Sequence, residues 1–328
     1  MYGMEKDILA QYKLNIKNIA SFRDSYILIT SQGKYLLKES NIHPGRIRFI
    51  HGAKEHLYKN GFKNIDRYLC TIKGDPYAIF DEKYHTISRM VEGRECDFGN
   101  RDDIRKASIL LANLHIASKG FVPPPNSIIR EELGKLPNVF YKRLREIKRM
   151  EKIASRRKSK FDYMYLRYAG YFYDMGKEAL DYILSPIYES LVEDTKRQNI
   201  FCHHDFTYSN ILFNEEGPAI INFDYCCFDL KVYDIANFIR RRVRKCNWDI
   251  DEAKIITDEY RNIEELSPED FYVMKLILQF PQKFWRVGNR YYNSKRSWAE
   301  RVFTEKLEEA IDEIDNHKKF LENYEVII

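Results

Sequence analysis

The six cysteines of this 328-residue chain, Cys70, Cys96, Cys202, Cys226, Cys227 and Cys246, form no CxxC pair and no thiolate–histidine spacing suited to zinc. That excludes a zinc ribbon or finger and points to a reducing compartment. No uninterrupted apolar stretch approaches the ~20 residues needed to cross a bilayer. The start, MYGMEKDILAQYKLNIKNIA, has neither an apolar h-region nor a small-residue cleavage site, so export and membrane spanning are not expected. A strong charge of one sign is also missing: 54 basic against 49 acidic side chains leave +5, compatible with an anionic ligand without identifying one. Neither a DNA-reading module nor an RNA-binding aromatic motif is present, and no nucleic-acid partner is expected. There is no convincing internal repeat. With 44% hydrophobic and 31% charged residues, the composition excludes a disordered tail and a small cysteine scaffold. The length leaves room for two cores or one core split into lobes.

Strand signals crowd the first 90 residues. YILIT (26–30) and KYLLK (34–38) flank a Ser-Gln-Gly turn and predict a hairpin. RIRFIHGAKEHLYKN then predicts a helix with Ile47, Ile50, the Lys54 stem and Leu57 near one face. IDRYLCTI and PYAIF, separated by Lys73-Gly74-Asp75, read as a second hairpin, so residues 1–93 form a small sheet with one helix. From Asn100 the apolar period becomes helical, and helices are expected from Asn100 to Gly120, from Glu131 to about Lys158 and over the run carrying Tyr163 to Leu191. Further helices are expected at Tyr233–Lys245, Glu252–Ile263, Pro268–Trp285 and Ser297–Lys318. The expectation is α+β, with a β-containing lobe over 1–93 and a mainly helical lobe over 94–328.

One block among the helices differs: NIFCHHDFTYSNILFNEEGPAIINFDYCCFDLKVYD, with strands expected at 211–213 and 219–223. Polar residues around two short buried strands are costly unless paired, hydrated or bound to a ligand, which makes this hairpin the leading site. Asp205 is suited to accept a proton from a substrate hydroxyl, while Asn210 places an oxygen on a phosphate-bound cation. The structural alternatives are that His203 pins the loop through its ring, Asp205 caps backbone N–H groups and Asn210 satisfies a strand start. Asp224 could orient into a metal site; Asp229 and Asp234 could cap the following turn and helix.

This pattern resembles the aminoglycoside phosphotransferase and choline kinase branch of the protein-kinase-like fold, and more closely the CotS family of spore coat proteins. The resemblance covers nearly the whole chain, including FPQKFWRVGNRYY near 280–292, and is least diagnostic at 125–195. It implies a bilobal fold with a small β-rich N-terminal lobe and a large helical C-terminal lobe. HHDFTYSNILF looks like the catalytic loop, with Asp205 at the catalytic-base position, His203 beside it as a second catalytic candidate and Asn210 at a metal-ligand position. Where active relatives would read IDF, this chain reads Ile221-Asn222-Phe223. An amide oxygen can ligate magnesium without a carboxylate's charge. Asp224 compensates if the loop turns it inward; in an extended run the two side chains share one side, about 6–7 Å apart. By the same resemblance Lys38 matches the lysine on nucleotide phosphates, with Glu55 as its helix carboxylate. Ser88, Arg89, Met90 and Val91 belong to the crossover, whose backbone would read an adenine edge. The segment FRDSYILITSQGKYLLK lacks glycine-rich spacing, so phosphate cradling there is not implied.

Two readings follow. The leading one is a spore-coat structural or assembly protein with a kinase-like fold and weak ATP binding, its partners other coat proteins, residing in the mother-cell cytoplasm during sporulation and then in the coat. The alternative is an ATP- and magnesium-dependent phosphotransferase acting on a hydroxyl of a small molecule or coat component. Residues 142–160 carry ten basic side chains against two acidic ones, RRRVRK follows at 240–245, and Lys283, Arg286, Arg290, Lys295 and Arg296 lie beyond. If these faces converge they favour an acceptor or partner of acidic character; the plainer reading is hydrated helix faces. Tyr168, Tyr171, Tyr173, Phe280, Phe284, Trp285, Tyr291 and Tyr292 line a groove or, at helical spacing, pack helices.

Overall fold

The computed structural model describes residues 3–293 and 299–328. The chain divides into two compact units, residues 1–131 with 198–228 and residues 132–197 with 229–328. The architecture is α+β, with a β-rich N-terminal region and a helix-rich C-terminal region.

In the first unit a short helix, α1 (Gly3–Leu9), precedes β1 (Ile16–Phe22), β2 (Ser25–Thr30) and β3 (Gly33–Ser40). Helix α2 (Pro44–Lys59) follows, then β4 (Ala78–Phe80) and β5 (Lys83–Arg89). The strands form one antiparallel sheet in the order β1-β2-β3-β5-β4. Ile8, Leu28, Leu37 and Ile87 close a core on one face of that sheet, the face that the period-2 alternation of YILIT and KYLLK selects. Helix α2 begins with Pro44 in its first turn and buries Ile47, Ile50, Ala53, Lys54 and Leu57.

After β6 (Arg94–Glu95) comes α3 (Arg101–Ser118), whose Asn100 cap accepts from the backbone N–H of Asp102. Asp103 instead takes both arms of the Arg94 guanidinium. Gly93 is required where the crossover meets the hairpin: a Cβ there would sit 2.7 Å from the Phe213 carbonyl oxygen. The unit closes with β7 (Phe201–Cys202), β8 (Ile211–Asn214), β9 (Gly217–Ile220) and β10 (Cys227–Phe228). β8 pairs with β6 and β9, and β10 pairs with β7.

The second unit is helical: α4 (Leu136–Ala154), α5 (Lys160–Ile183), α6 (Pro186–Gln198, its last residue in the first unit), α7 (Lys231–Val243), α8 (Ile250–Arg261), α9 (Pro268–Gln279), α10 (Gln282–Asn293), α11 (Glu300–Asp312) and α12 (Ile314–Glu322). Tyr165 and Phe284 stack at 4.6 Å between ring centroids and Phe172 and Phe284 at 4.3 Å, so these rings pack helices. Gly288 lets α10 approach closely, because a Cβ would meet the Tyr165 ring at 2.6 Å.

Three expectations are corrected. IDRYLCTI is not a strand: residues 65–72 carry isolated bridges, from Ile65 to Ile220 and from Tyr68 to Ser88, so this run links two sheets, and β4 pairs with β5 instead. The two long helices expected through Leu191 and Trp285 are each broken, by Pro186 and Pro281, which cannot supply the N–H that continuation needs. Lys295 and Arg296, and the expected helix start at Ser297, lie outside the described residues.

Candidate active site

Residues 199–228 of the polar block around β8 and β9 belong to the first unit, and Asp229 and Asp234 at its end belong to the second. His203 is fully buried; its Nδ1 accepts from the Asp205 backbone N–H at 3.3 Å, and its Nε2–H donates to the Ile221 carbonyl at 3.1 Å. The ring therefore joins the start of the catalytic-loop-like segment to the end of the hairpin, and both nitrogens are engaged by backbone. In this arrangement the ring, expected as a second catalytic candidate, faces backbone groups with both nitrogens. Asp205 is half-buried. Its Oδ2 and its own carbonyl both accept from Asn210 Nδ2 at 2.9 Å.

Asn210 is buried at the end of a short 3-10 turn, and its Oδ1 accepts from Asn222 Nδ2 at 3.3 Å. Asp205, Asn210 and Asn222 thus form a continuous hydrogen-bonded series. The stretch after β9 is not extended. Asn222 takes the left-handed conformation (φ 67, ψ 66) and residues 223–225 make a 3-10 turn. Asparagine and aspartate tolerate that conformation better than other side chains with a Cβ, because a short polar group can bond locally. The turn brings Asp224 Oδ2 to 3.9 Å from Lys38 Nζ on β3. Lys38 is about half exposed, and at that distance the contact is a loose ion pair screened by water.

Glu55 does not pair with Lys38. It receives two hydrogen bonds from Arg67, at 2.8 and 2.7 Å. Burial pushes its carboxyl up, but the Arg67 guanidinium outweighs that and holds it below the usual carboxylate range. Lys54, one residue earlier on α2, is turned inward: 1% exposed, it meets Asp66 Oδ1 at 3.0 Å and lies over the Tyr68 ring at 4.0 Å. Asp66 Oδ2 in turn accepts the Asn222 backbone N–H at 3.3 Å. Arg46, also on α2, donates to the carbonyls of Asp224 and Cys226. Helix α2 is thereby fastened to the metal-loop-like segment by two cations, Arg46 directly and Lys54 through Asp66. Neither Arg46 nor Asp66 stands out in the sequence; the only trace was Lys54 on the buried stripe of a helix, where an unpaired lysine is costly.

The crossover residues divide. Ser88 and Arg89 end β5, Ser88 opposite Leu36. The Arg89 and Met90 backbone N–H groups donate to Arg67 and Lys34 carbonyls, at 2.8 and 3.0 Å. Those two donors are committed to protein. Arg89, Met90, Val91 and Glu92 border a cavity of about 490 Å³ together with Asn64 and the Asn214–Glu216 turn; Lys38, Asp205 and Asn210 do not line it.

Asn210 and Asn222 offer amide oxygens and Asp224 a carboxylate, an all-oxygen set that suits a hard cation such as magnesium. The set carries less negative charge than one with an aspartate at 222. The Asn222 amide now holds Asn210 Oδ1, so a cation would have to displace that hydrogen bond.

Spore coat protein S of Bacillus subtilis (strain 168) is 26% identical over 324 residues, covering 96% of this chain and 92% of that one. Among solved structures, an aminoglycoside phosphotransferase from Alicyclobacillus acidocaldarius matches with a TM-score of 0.85 at 20% identity, over 98% of this chain and 95% of that one. A spectinomycin phosphotransferase in complex with ADP and spectinomycin matches at 0.64 and 14% identity, over 96% and 97%. The fold is therefore the protein-kinase-like one that these phosphotransferases share. Residues 5–324 match the family described as spore coat putative kinase YutH, and the chain belongs to that family.

Proposed function

We propose that this protein is an ATP- and magnesium-dependent phosphotransferase that acts on a hydroxyl group, in the setting of the spore coat. The observation that carries the reading is the hydrogen-bonded series Asp205–Asn210–Asn222 with Asp224 turned towards Lys38. A protein kept only for assembly has no need of that alignment of oxygen donors behind a carboxylate. The likeness in fold to phosphotransferases favours the same reading over a purely structural role.

Asp205 would orient the acceptor hydroxyl and take its proton, its carboxylate held by Asn210. Lys38 would draw nucleotide phosphates, exchanging its loose contact with Asp224 for a stronger charge-assisted one. Asn210, Asn222 and Asp224 would hold magnesium, which when bound supplies neutralisation of phosphate charge. His203 keeps the two loops in register. Coat proteins as partners, a mother-cell origin and an acceptor with acidic groups belong to this proposal. The last is supported by an exposed stripe on α4, Lys142, Arg145, Arg149 and Lys152, at spacings that share one helix face.

Calorimetry with ATP and magnesium, against ATP and chelator, tests the nucleotide site. A transfer or hydrolysis assay tests turnover, which Asp205→Asn should lower by about 10² or more. Absence of magnesium-dependent ATP affinity in both the native protein and Asn222→Asp would reject the proposal and leave coat assembly in front.

A further inference from the structure

A cavity of about 240 Å³ in the second unit is walled by α7, α10 and α11 and belongs to none of the machinery described above. Each helix contributes one face to it. Asn237, Arg240 and Arg244 recur at i, i+3 and i+7 along and just beyond α7, and Lys283, Arg286 and Arg290 do the same on α10. Lys306 comes from α11, and Glu309 is the only acid in the lining.

Acids near the cavity serve part of this charge. Glu313 accepts from Arg244 and from Lys283 at 2.7 Å, and Glu309 meets Lys283 at 3.1 Å. Arg286, Arg290 and Lys306 make no ion pair among the described residues, and Arg240 donates only to neutral oxygens, Asn237 Oδ1 and the Ile277 carbonyl. Burial pushes the Arg240 guanidinium down to about 9, and the nearby Arg286, Arg143 and Arg244 push the same way, against Tyr233. Arg286 and Arg290 are exposed at the cavity, and partial desolvation at its wall together with Arg241, Arg290 and Arg143 lowers the Arg286 guanidinium. Like charges gathered in a concave, partly dry site oppose folding unless a counter-charge relieves them.

We propose that the cavity walled by α7, α10 and α11 binds a compact multivalent anion, one carrying two or more phosphate or carboxylate groups, held by Arg240, Arg286, Arg290 and Lys306. The volume exceeds the ~10–15 Å³ that admits one water and falls below the ~300–1,000 Å³ of drug-sized sites, so the occupant is small. Guanidinium forks match the paired oxygens of phosphate and carboxylate, and several of them on separate helices favour an anion with more than one such group. This site does not rest on the phosphotransfer reading.

The test is calorimetry at low ionic strength on the full chain with pyrophosphate and, separately, citrate, with acetate at matched ionic strength as the monovalent control. The native protein should bind at least one multivalent probe saturably at one site, and acetate should not compete. Arg286→Gln with Arg290→Gln should weaken that binding at least tenfold, and Lys306→Gln, on a different helix, should weaken it independently. A thermal melt without ligand reports whether the variants fold; relief of repulsion predicts a midpoint no lower than native. Lys38→Met and Asp205→Asn should leave the affinity unchanged. No saturable binding of either probe, undiminished binding in the folded double variant, or loss of binding in Lys38→Met alone would overturn the assignment, the last by moving the anion to the nucleotide site.

Discussion

Asn222 holds the most consequential position in the candidate site, and its left-handed backbone decides what can replace it. Aspartate tolerates the same conformation, so Asn222→Asp changes charge with little change in backbone. It should tighten magnesium-dependent ATP affinity, measured calorimetrically, because a carboxylate restores the negative charge that the amide lacks. In the native background Asp224→Ala should abolish magnesium dependence, since it removes the one carboxylate among the three proposed ligands, and Asn222→Asp should recover part of it. Strong native turnover that survives Asp224→Ala would refute the idea that the asparagine weakens catalysis. The Lys54–Asp66 pair makes a separate demand. With Lys54 1% exposed and Asp66 17%, Lys54→Met leaves a largely buried carboxylate unpaired and should cost about 3 kcal/mol in denaturant unfolding. Adding Asp66→Asn should recover much of that loss, and a simple sum of the two single effects would show that the pair is not coupled. Asn222 could be found in the sequence because it interrupts a motif. Its left-handed turn could not, since the apolar neighbours Ile221 and Phe223 read as the continuation of a strand.

At the level of elements, the sequence was most legible where period and punctuation agree. The β2–β3 hairpin, α2, α3 and the β8–β9 hairpin all follow from local pattern, because their turns and ends are made by nearby residues. Residues 65–72 were misread since an apolar, β-branched run serves equally well as a ladder strand or as a connector whose few bridges reach two sheets. The Lys38–Glu55 pairing fails for a different reason: the apolar stripe of α2 already runs through Lys54, but nothing local shows that Arg67, twelve residues on, takes the Glu55 carboxylate.

Helix α12 allows a test with a definite sign. His317 is buried, with Nε2 on the Leu278 carbonyl at 3.1 Å and its ring 4.1 Å from that of Trp248. Burial lowers it to about 4, with the Leu278 hydrogen bond opposing. The unfolded chain takes up this proton near 6.5, so stability is fully present above that pH and is lost as pH falls towards 4. The contribution is about 3 kcal/mol. In His317→Phe the corresponding slope should vanish from unfolding free energies measured between pH 6.5 and 4. Gly288→Ala offers a second test of packing: with Tyr165 at 2.6 Å from the added carbon, it should destabilise by about 1–3 kcal/mol, whereas an unchanged midpoint would mean that α10 can shift freely.

For the whole molecule, net charge says little about partners, because +5 averages surfaces that differ sharply. On α4 the stripe Phe140, Leu144, Ile147 and Met150 is buried, while Lys142, Arg145, Arg149 and Lys152 are exposed. Arg149 donates to the neutral Asn293 Oδ1 at 2.9 Å, and Lys148 is the neighbour that meets an acid, Glu151 at 3.0 Å. An exposed row of one sign acts through its field, which reaches ~10 Å at 0.1 M salt and ~3 Å at 1 M. Capture of an acidic partner by this face should therefore be strongly salt-dependent. On immobilised polyglutamate, native protein should be retained at low salt and released as salt rises. Arg145→Glu with Arg149→Glu should lose most of the low-salt retention and differ little from native at 1 M. The same substitutions should leave ATP affinity unchanged, since the proposed nucleotide-binding residues all belong to the first unit. Equal salt profiles for native and variant protein would reduce the α4 face to a hydrated surface, and any acidic partner would then have to be sought at other basic faces of the second unit.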